Sequence, residues 1–366
     1  MELDLLAEAE FRTAPNMKQK VLSAAKLFNE AQKGTNLALA QFREAMSTSD
    51  FPILLSKGFE VEAIQAQKDA VKEYEAFALE RKVTDFRPKK LRDLFGNTEF
   101  EEVAEGEEYK ADTLDELEVE YRVKKFGRRF GYTWELALSG DFTDMADFPR
   151  RLGNGAVNTS NKNVFGLFVD ENGPRDDFFA SKDTKPLSPQ NLQDAINAFA
   201  LKEDWRGDLV DTTGLVLVVP PTLQLEAQRI IGAAELELEV TDGNKKTKTR
   251  MQNPFTGLVQ VVVSRKLVEI DKSANRATTW YLLAGKGSTH PAVIHVSLNG
   301  HENVDIRTKR DQGNRVGGGE IPFEEGSYRD DTIDFRGRHI DGSAKGLQDE
   351  DGKALVAYAS DGSVSA

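Results

Sequence analysis

Between residues 99 and 131 the chain changes sign: residues 99–120 hold eleven acids and one base, and residues 121–131 hold five bases and no acid. No packed core can absorb such a stretch, because a buried charge must be paired or it is strongly penalised. The stretch nevertheless carries a strand pattern. Leu117, Val119, Tyr121 and Val123 fall on one face, with Glu118, Glu120, Arg122 and Lys124 on the other. At Lys125-Phe126 the phase flips, and Phe126, Phe130, Tyr132, Trp134, Leu136 and Leu138 become the apolar set. A one-residue slip exchanges the faces of a strand, through a bulge or a passage from one layer to another. The part before the flip therefore reads as an acidic hairpin leaving the body of the fold. A two-stranded ribbon is marginal alone in water, so this one requires a surface to lie on.

The local run accounts for most of the global charge. With 48 basic and 61 acidic residues the 366-residue chain is at −13, which excludes a basic nucleic-acid reader. Its longest apolar runs, such as LVLVV at 215–219, are far shorter than the ~18 residues of a membrane span, so no membrane partner is expected. The acidic start, MELDLLAEAE, is unlike a secretory signal. Without cysteine there is no disulfide, thiolate metal site or Cys nucleophile. Stability must come from packing and assembly, and 21 Phe supply large apolar groups for a core.

Residues 16–47 place Val21, Ala25, Phe28, Leu39, Phe42 and Met46 on a helical stripe interrupted at Gly34-Thr35; a second helix is expected over 59–79, with Phe51-Pro52 and Lys57-Gly58 as separators. These are either two packing helices or an extended arm whose stripe a neighbouring subunit covers. A long helix is expected over 141–169, with Pro149 near its first turn and Asn172-Gly173-Pro174 as its stop, although Gly153 and Gly155 weaken it. Ser188-Pro189 opens a further helix through Leu192, Ala195, Ile196 and Phe199. A buried strand at 214–219, a helix from Pro220-Pro221 to Ile231, and strands near 258–263, 279–284 and 292–298 complete an α+β pattern.

Catalytic signatures are lacking. AGKGST at 284–289 fails the phosphate-loop spacing, and GGG at 317–319 opens no helix. His290, His295, His301 and His339 form no metal-ligand spacing, and no nucleophile elbow occurs. The Arg206-Gly207-Asp208 tripeptide and the Asn158-Thr159-Ser160 sequon both lack the secretion signal that would give them meaning. The expectation is a non-enzyme with no catalytic, metal or cofactor-binding residues and no cofactor.

The order of segments is more informative than any one of them. After a helical arm and an acidic hairpin come FGYTWELALSGD at 130–141, GLVLVVPPTLQLEAQRII at 214–231, NPFTG at 253–257, TWYLLA at 279–284, FEEGSYRDDTIDFRGRHIDG at 323–342 and VAYASDGS at 356–363. Over roughly residues 80–366 this succession resembles the major capsid proteins of tailed bacteriophages, with the Hong Kong 97-like capsid fold. The resemblance implies an N-terminal arm over 1–80, an extended E-loop over 81–125, a P domain with its spine helix over 126–185, an A domain over 186–300, and C-terminal strands over 301–366 that return through P and A. It implies a structural role: hexamers and pentamers forming an icosahedral shell around double-stranded DNA, held without sequence-specific binding, in a virion assembled in the bacterial cytoplasm. The arm is shorter than the cleaved scaffolding segment of some members, so a separate scaffold protein is expected, beside a portal, and the sequence leaves open whether a decoration protein binds.

Joining resemblance and charge gives candidate inter-subunit contacts. Glu101, Glu102, Glu105, Glu107 and Glu108 of one copy would lie over a neighbour's basic strand, with Arg122, Lys124, Lys125, Arg128 and Arg129 as candidates and Arg128 and Arg129 foremost. The alternatives are an encapsulin-type nanocompartment shell, which shares the fold, and an enzyme or adhesin with an unrecognised site.

Overall fold

The computed structural model describes residues 15–32, 37, 38, 41, 44, 45, 51–92, 118–133, 135, 143–180, 182–204, 209, 210, 214–242, 245–309, 311–319, 321 and 326–363. The chain is α+β and divides into two compact units, one from residues 1–72, 124–159 and 298–341, the other from 73–123, 160–297 and 342–366. These units cut across the linear segments expected above.

The first unit pairs helices Pro15–Gln32 and Phe51–Asp69 and sets them with three antiparallel strands of a five-stranded sheet. In that sheet the strand Thr332–Lys345 is flanked by Lys124–Thr133 on one side and Asp305–Thr308 on the other. Pleating buries Ile333 and Phe335 and leaves Arg336 exposed. The buried face meets the helices through edge-to-face rings, with Phe59 5.4 Å from Phe28 and 5.7 Å from Phe335. Val21, Ala25 and Phe28 are thus covered within their own chain, as two ordinary packing helices would be. Leu39, Phe42 and Met46 lie outside the described residues.

Two expected boundaries change. Phe51-Pro52 and Lys57-Gly58 do not separate helices but lie inside one, which runs from Phe51 to Asp69. Proline at the second helical position loses no hydrogen bond, and Gly58 faces Ala25 of the first helix, where even a Cβ would make only an ordinary 3.8 Å contact. The long helix is Thr143–Phe165, and Pro149 lies within it rather than in its first turn. Gly153, which argued against a helix, marks its crossing with Phe51–Asp69: a Cβ there would stand 2.2 Å from the Ala63 carbonyl oxygen.

The second unit is built on a five-stranded mixed sheet ordered Val259–Val263, Leu215–Val219, Trp280–Leu283, Ala357–Ser360, Lys182–Asp183. Leu215–Val219 is buried at every residue, which explains an unbroken apolar run in place of alternation. Helix Gln224–Gly232 precedes the parallel strand Val259–Val263. Asn253 fixes its end: the Nδ2 amide donates to the carbonyls of Ile230, Ile231 and Ala233 at 2.8, 3.0 and 2.8 Å, while Oδ1 accepts from Phe255 N at 2.9 Å. Helix Pro189–Ala200 starts as expected, with Ser188 Oγ accepting from Asn191 N. Phe168 centres an aromatic cluster, its ring 6.0, 5.4, 5.6 and 5.3 Å from those of Phe77, Phe165, Phe178 and Tyr281.

Candidate inter-subunit surface

The flip at Lys125-Phe126 falls beside a real break. Glu118–Tyr121 is one strand and Lys124–Thr133 another, with Arg122 and Val123 between them. The first strand pairs antiparallel with Lys89–Arg92, and the second with Thr332–Asp341 of the long C-terminal strand. The chain therefore passes from one sheet to another here. Arg122 and Val123 run against a glycine, because a Cβ on Gly342 would stand 2.2 Å from the Arg122 carbonyl oxygen.

The paired strands Lys89–Arg92 and Glu118–Tyr121 bracket the acidic run in sequence. Their register sets Lys90 opposite Glu120 and Arg92 opposite Glu118, so bases preceding the acidic run oppose its last acids. Opposite charges at Lys90 and Glu120 stabilise the pairing by roughly 0.2–1 kcal/mol. Glu101, Glu102, Glu105, Glu107 and Glu108 lie outside the described residues.

The five candidate bases are all exposed, and the folding of the chain distributes them differently. Arg122 belongs to the second unit and the other four to the first. Arg128 and Arg129 are adjacent in one strand, so alternation sends them to opposite faces of the sheet. The two foremost candidates therefore do not share a face. Among the described residues, Arg122, Lys124, Lys125 and Arg128 have no carboxylate within ion-pair distance, whereas Arg129 Nε is 3.5 Å from Asp334 Oδ1.

Arg129 has company that the sequence reading missed. The register places it directly opposite Arg336, which in turn is opposite Arg307, making one arginine row across three adjacent strands. All three are exposed. Like charges directly opposite one another destabilise a sheet. Relief is partial: Asp305 Oδ2 accepts from Arg307 Nε at 3.0 Å and lies 2.7 Å from Nη2 of Arg338, the next arginine along the same face. Arg336, the middle of the row, has no ion-pair partner among the described residues. An acidic strand laid across this row would remove the repulsion.

Elsewhere the titratable groups serve packing. His295 stacks on Tyr74 with ring centroids 4.5 Å apart, His290 Nε2 is 3.5 Å from Asp204, and His339 Nε2 is 3.8 Å from Asp341. Among the described residues no group of three acids or histidines is placed to hold a metal ion, and no helix is long and apolar enough to cross a membrane. The sequon at Asn158 lies within the long helix, and Arg206, Gly207 and Asp208 fall outside the described residues.

Comparison with known proteins places these features in context. The chain resembles several solved structures at low identity. With the capsid of cyanophage P-SCSP1u it shares 11% identity over 79% of this chain and 88% of that one, at a TM-score of 0.45. With the capsid of Helicobacter pylori bacteriophage KHP30 the values are 10%, 77%, 87% and 0.44. A virus-like particle from Pyrococcus furiosus gives 9%, 82%, 97% and 0.41. No curated protein sequence matches the chain. The sequence-family model described as "Phage capsid protein" matches residues 116–356, about two-thirds of the chain, from the strand Glu118–Tyr121 through the arginine-bearing strands to the final sheet. The chain therefore belongs to this family of phage capsid proteins.

Proposed function

We propose that the protein is the shell-forming subunit of a phage head with a Hong Kong 97-like arrangement, and that copies register through charge. The acidic segment of one copy, carrying Glu101, Glu102, Glu105, Glu107 and Glu108, lies over the arginine row Arg129, Arg336 and Arg307 of its neighbour. The observation that carries this reading is the row itself, three exposed like charges in direct opposition with the central one unneutralised in the subunit. The same chain supplies a segment of net charge −10 in 22 residues. A single exposed ion pair contributes ~0–1 kcal/mol. A shell repeats the contact at every interface, and charge matching fixes register more than strength.

In this account the subunits close into hexamers and pentamers around double-stranded DNA in the host cytoplasm. A separate scaffold protein directs them, with a portal at one vertex. A net negative wall repels the genome weakly and lets it slide, where a basic lining would bind phosphates by counterion release. The test reverses Arg129 and Arg336 to Glu in the full chain. Shells should fail to close while the subunit keeps its circular dichroism spectrum, and reversing Glu101, Glu102 and Glu105 to Lys in the same chain should restore them. Normal assembly of the arginine double variant refutes the pairing.

A further inference from the structure

We infer that the second unit holds a site for a hard divalent cation of the calcium type, where the Asp170–Gly173 turn meets the Asp271–Ser273 turn. Asp271 is 1% exposed, and its two carboxylate oxygens differ. Oδ1 accepts from Ser273 N at 2.7 Å, whereas Oδ2 is buried with no hydrogen-bond partner. A buried, unsatisfied carboxylate oxygen is costly and calls for an ion or a water in contact with it. Its position sharpens the cost. Asp271 follows the last residue of helix Arg265–Ile270, and its own N–H closes onto Leu267 O. A negative charge at a helix C-terminus faces the negative end of the peptide dipoles.

Oδ2 points at the turn between two short strands, Val169–Asp170 and Gly173–Pro174. A Cβ built on Gly173 would stand 3.7 Å from Asp271 Oδ2 and 3.8 Å from Ser273 Oγ, so both oxygens converge on the space that this glycine leaves open. Register sets Asp170 directly across from Gly173. The two turns are tied by Lys272 N donating to Glu171 O at 3.0 Å. The Ser273 hydroxyl thus faces the same space as the unsatisfied oxygen, and a second carboxylate, Asp170, whose Oδ1 accepts from Asn172 N at 2.8 Å, stands across the turn; these are oxygen donors of the kind a calcium-type ion takes, with waters completing the shell. No basic side chain among the described residues pairs with Asp271, and nearby Arg175 is held by Asp177, with Nε 2.8 Å from Oδ1. The phenol of Tyr281 is driven to a raised pKa, first by burial and then by the charges of both Asp271 and Asp170, consistent with the two carboxylates bearing on one place.

Titration calorimetry of the full chain with calcium chloride, after removal of divalent ions, tests the site, with thermal melting in calcium and in chelator as a second readout. The wild type should take up calcium and melt higher in its presence. Asp271→Asn should lose the calcium-dependent rise and weaken this binding step about tenfold or more. Because a core variant can misfold, Asp170→Asn at the half-buried position provides a second test with the same expectation. A wild type whose melting ignores calcium, or variants that keep the full calcium response, overturns the proposal and leaves Asp271 Oδ2 to water or a proton.

Discussion

Replacing Gly153 by Ala reverses the sign that helix propensity alone would give. In an exposed helix interior the change gains about 1 kcal/mol, because glycine loses more backbone entropy on folding. At Gly153 the added methyl would stand 2.2 Å from the Ala63 carbonyl oxygen, 2.8 Å from the Ala66 Cβ and 2.9 Å from Gln67 N. Two of these are backbone atoms of a second helix and cannot rotate aside, so the helices must separate. The Phe28, Phe59 and Phe335 contacts around the crossing then loosen. Overpacking of this kind costs ~1–3 kcal/mol, which outweighs the propensity gain. Gly155, in the same helix, is the internal control, because a Cβ there meets nothing within 4 Å. Gly155→Ala should raise the urea midpoint of the helical circular dichroism signal and Gly153→Ala should lower it. If both move upward, or Gly153→Ala is silent, the helix crossing described here is wrong.

Further outcomes follow from other contacts. Asn253→Ala strips the amide from three carbonyls and the acceptor from Phe255 N. It should destabilise the second unit by about 1–3 kcal/mol and raise hydrogen exchange over 224–232 first. Phe168→Ala empties the aromatic cluster and should cost ~3–5 kcal/mol, read from denaturant unfolding followed by Trp280 fluorescence. Hydrogen bonding from Arg175, reinforced by Lys345, holds the Asp177 carboxyl at about 2. This lies below the unfolded carboxylate value of ~3.9, so its contribution is complete above about pH 4 and is lost as pH falls toward 2. The effect is small, because Asp177 is half exposed to screening solvent. Asp177→Asn should flatten that part of a melting-temperature profile, and an unchanged slope would count against the ion pairs.

Local signals in the sequence carried much of the fold. The phase flip at Lys125-Phe126 located the passage between two sheets to within a few residues, because period-2 alternation is enforced by burial on each side. Ser188-Pro189 and the apolar run Leu215–Val219 became a capped helix and a fully buried strand for equally local reasons. What escaped depends on partners distant in sequence. Phe51-Pro52 and Gly58 looked like breaks, yet one helix, packed against another distant in sequence, runs through both. The hairpin Glu235–Asp242 with Lys245–Gln252 was overlooked, although Asp242-Gly243 between alternating segments is a turn signal. The arginine row was hidden most completely. Arg129, Arg307 and Arg336 are far apart in the chain, and only the register of three strands aligns them. The alternation of Arg336 and Arg338 hinted at a basic face without saying what stood beside it.

As a phage capsid protein the chain is a structural component of the virion. That its copies close into a shell through the charged segment and the arginine row is the central proposal, and electron microscopy of the purified full chain, alone and with a candidate scaffold protein, tests it most directly. The account predicts closed shells or their hexameric and pentameric capsomers, lost when Arg129 and Arg336 are reversed and regained when the acidic segment is reversed with them. Monomers that never assemble under either condition would contradict it.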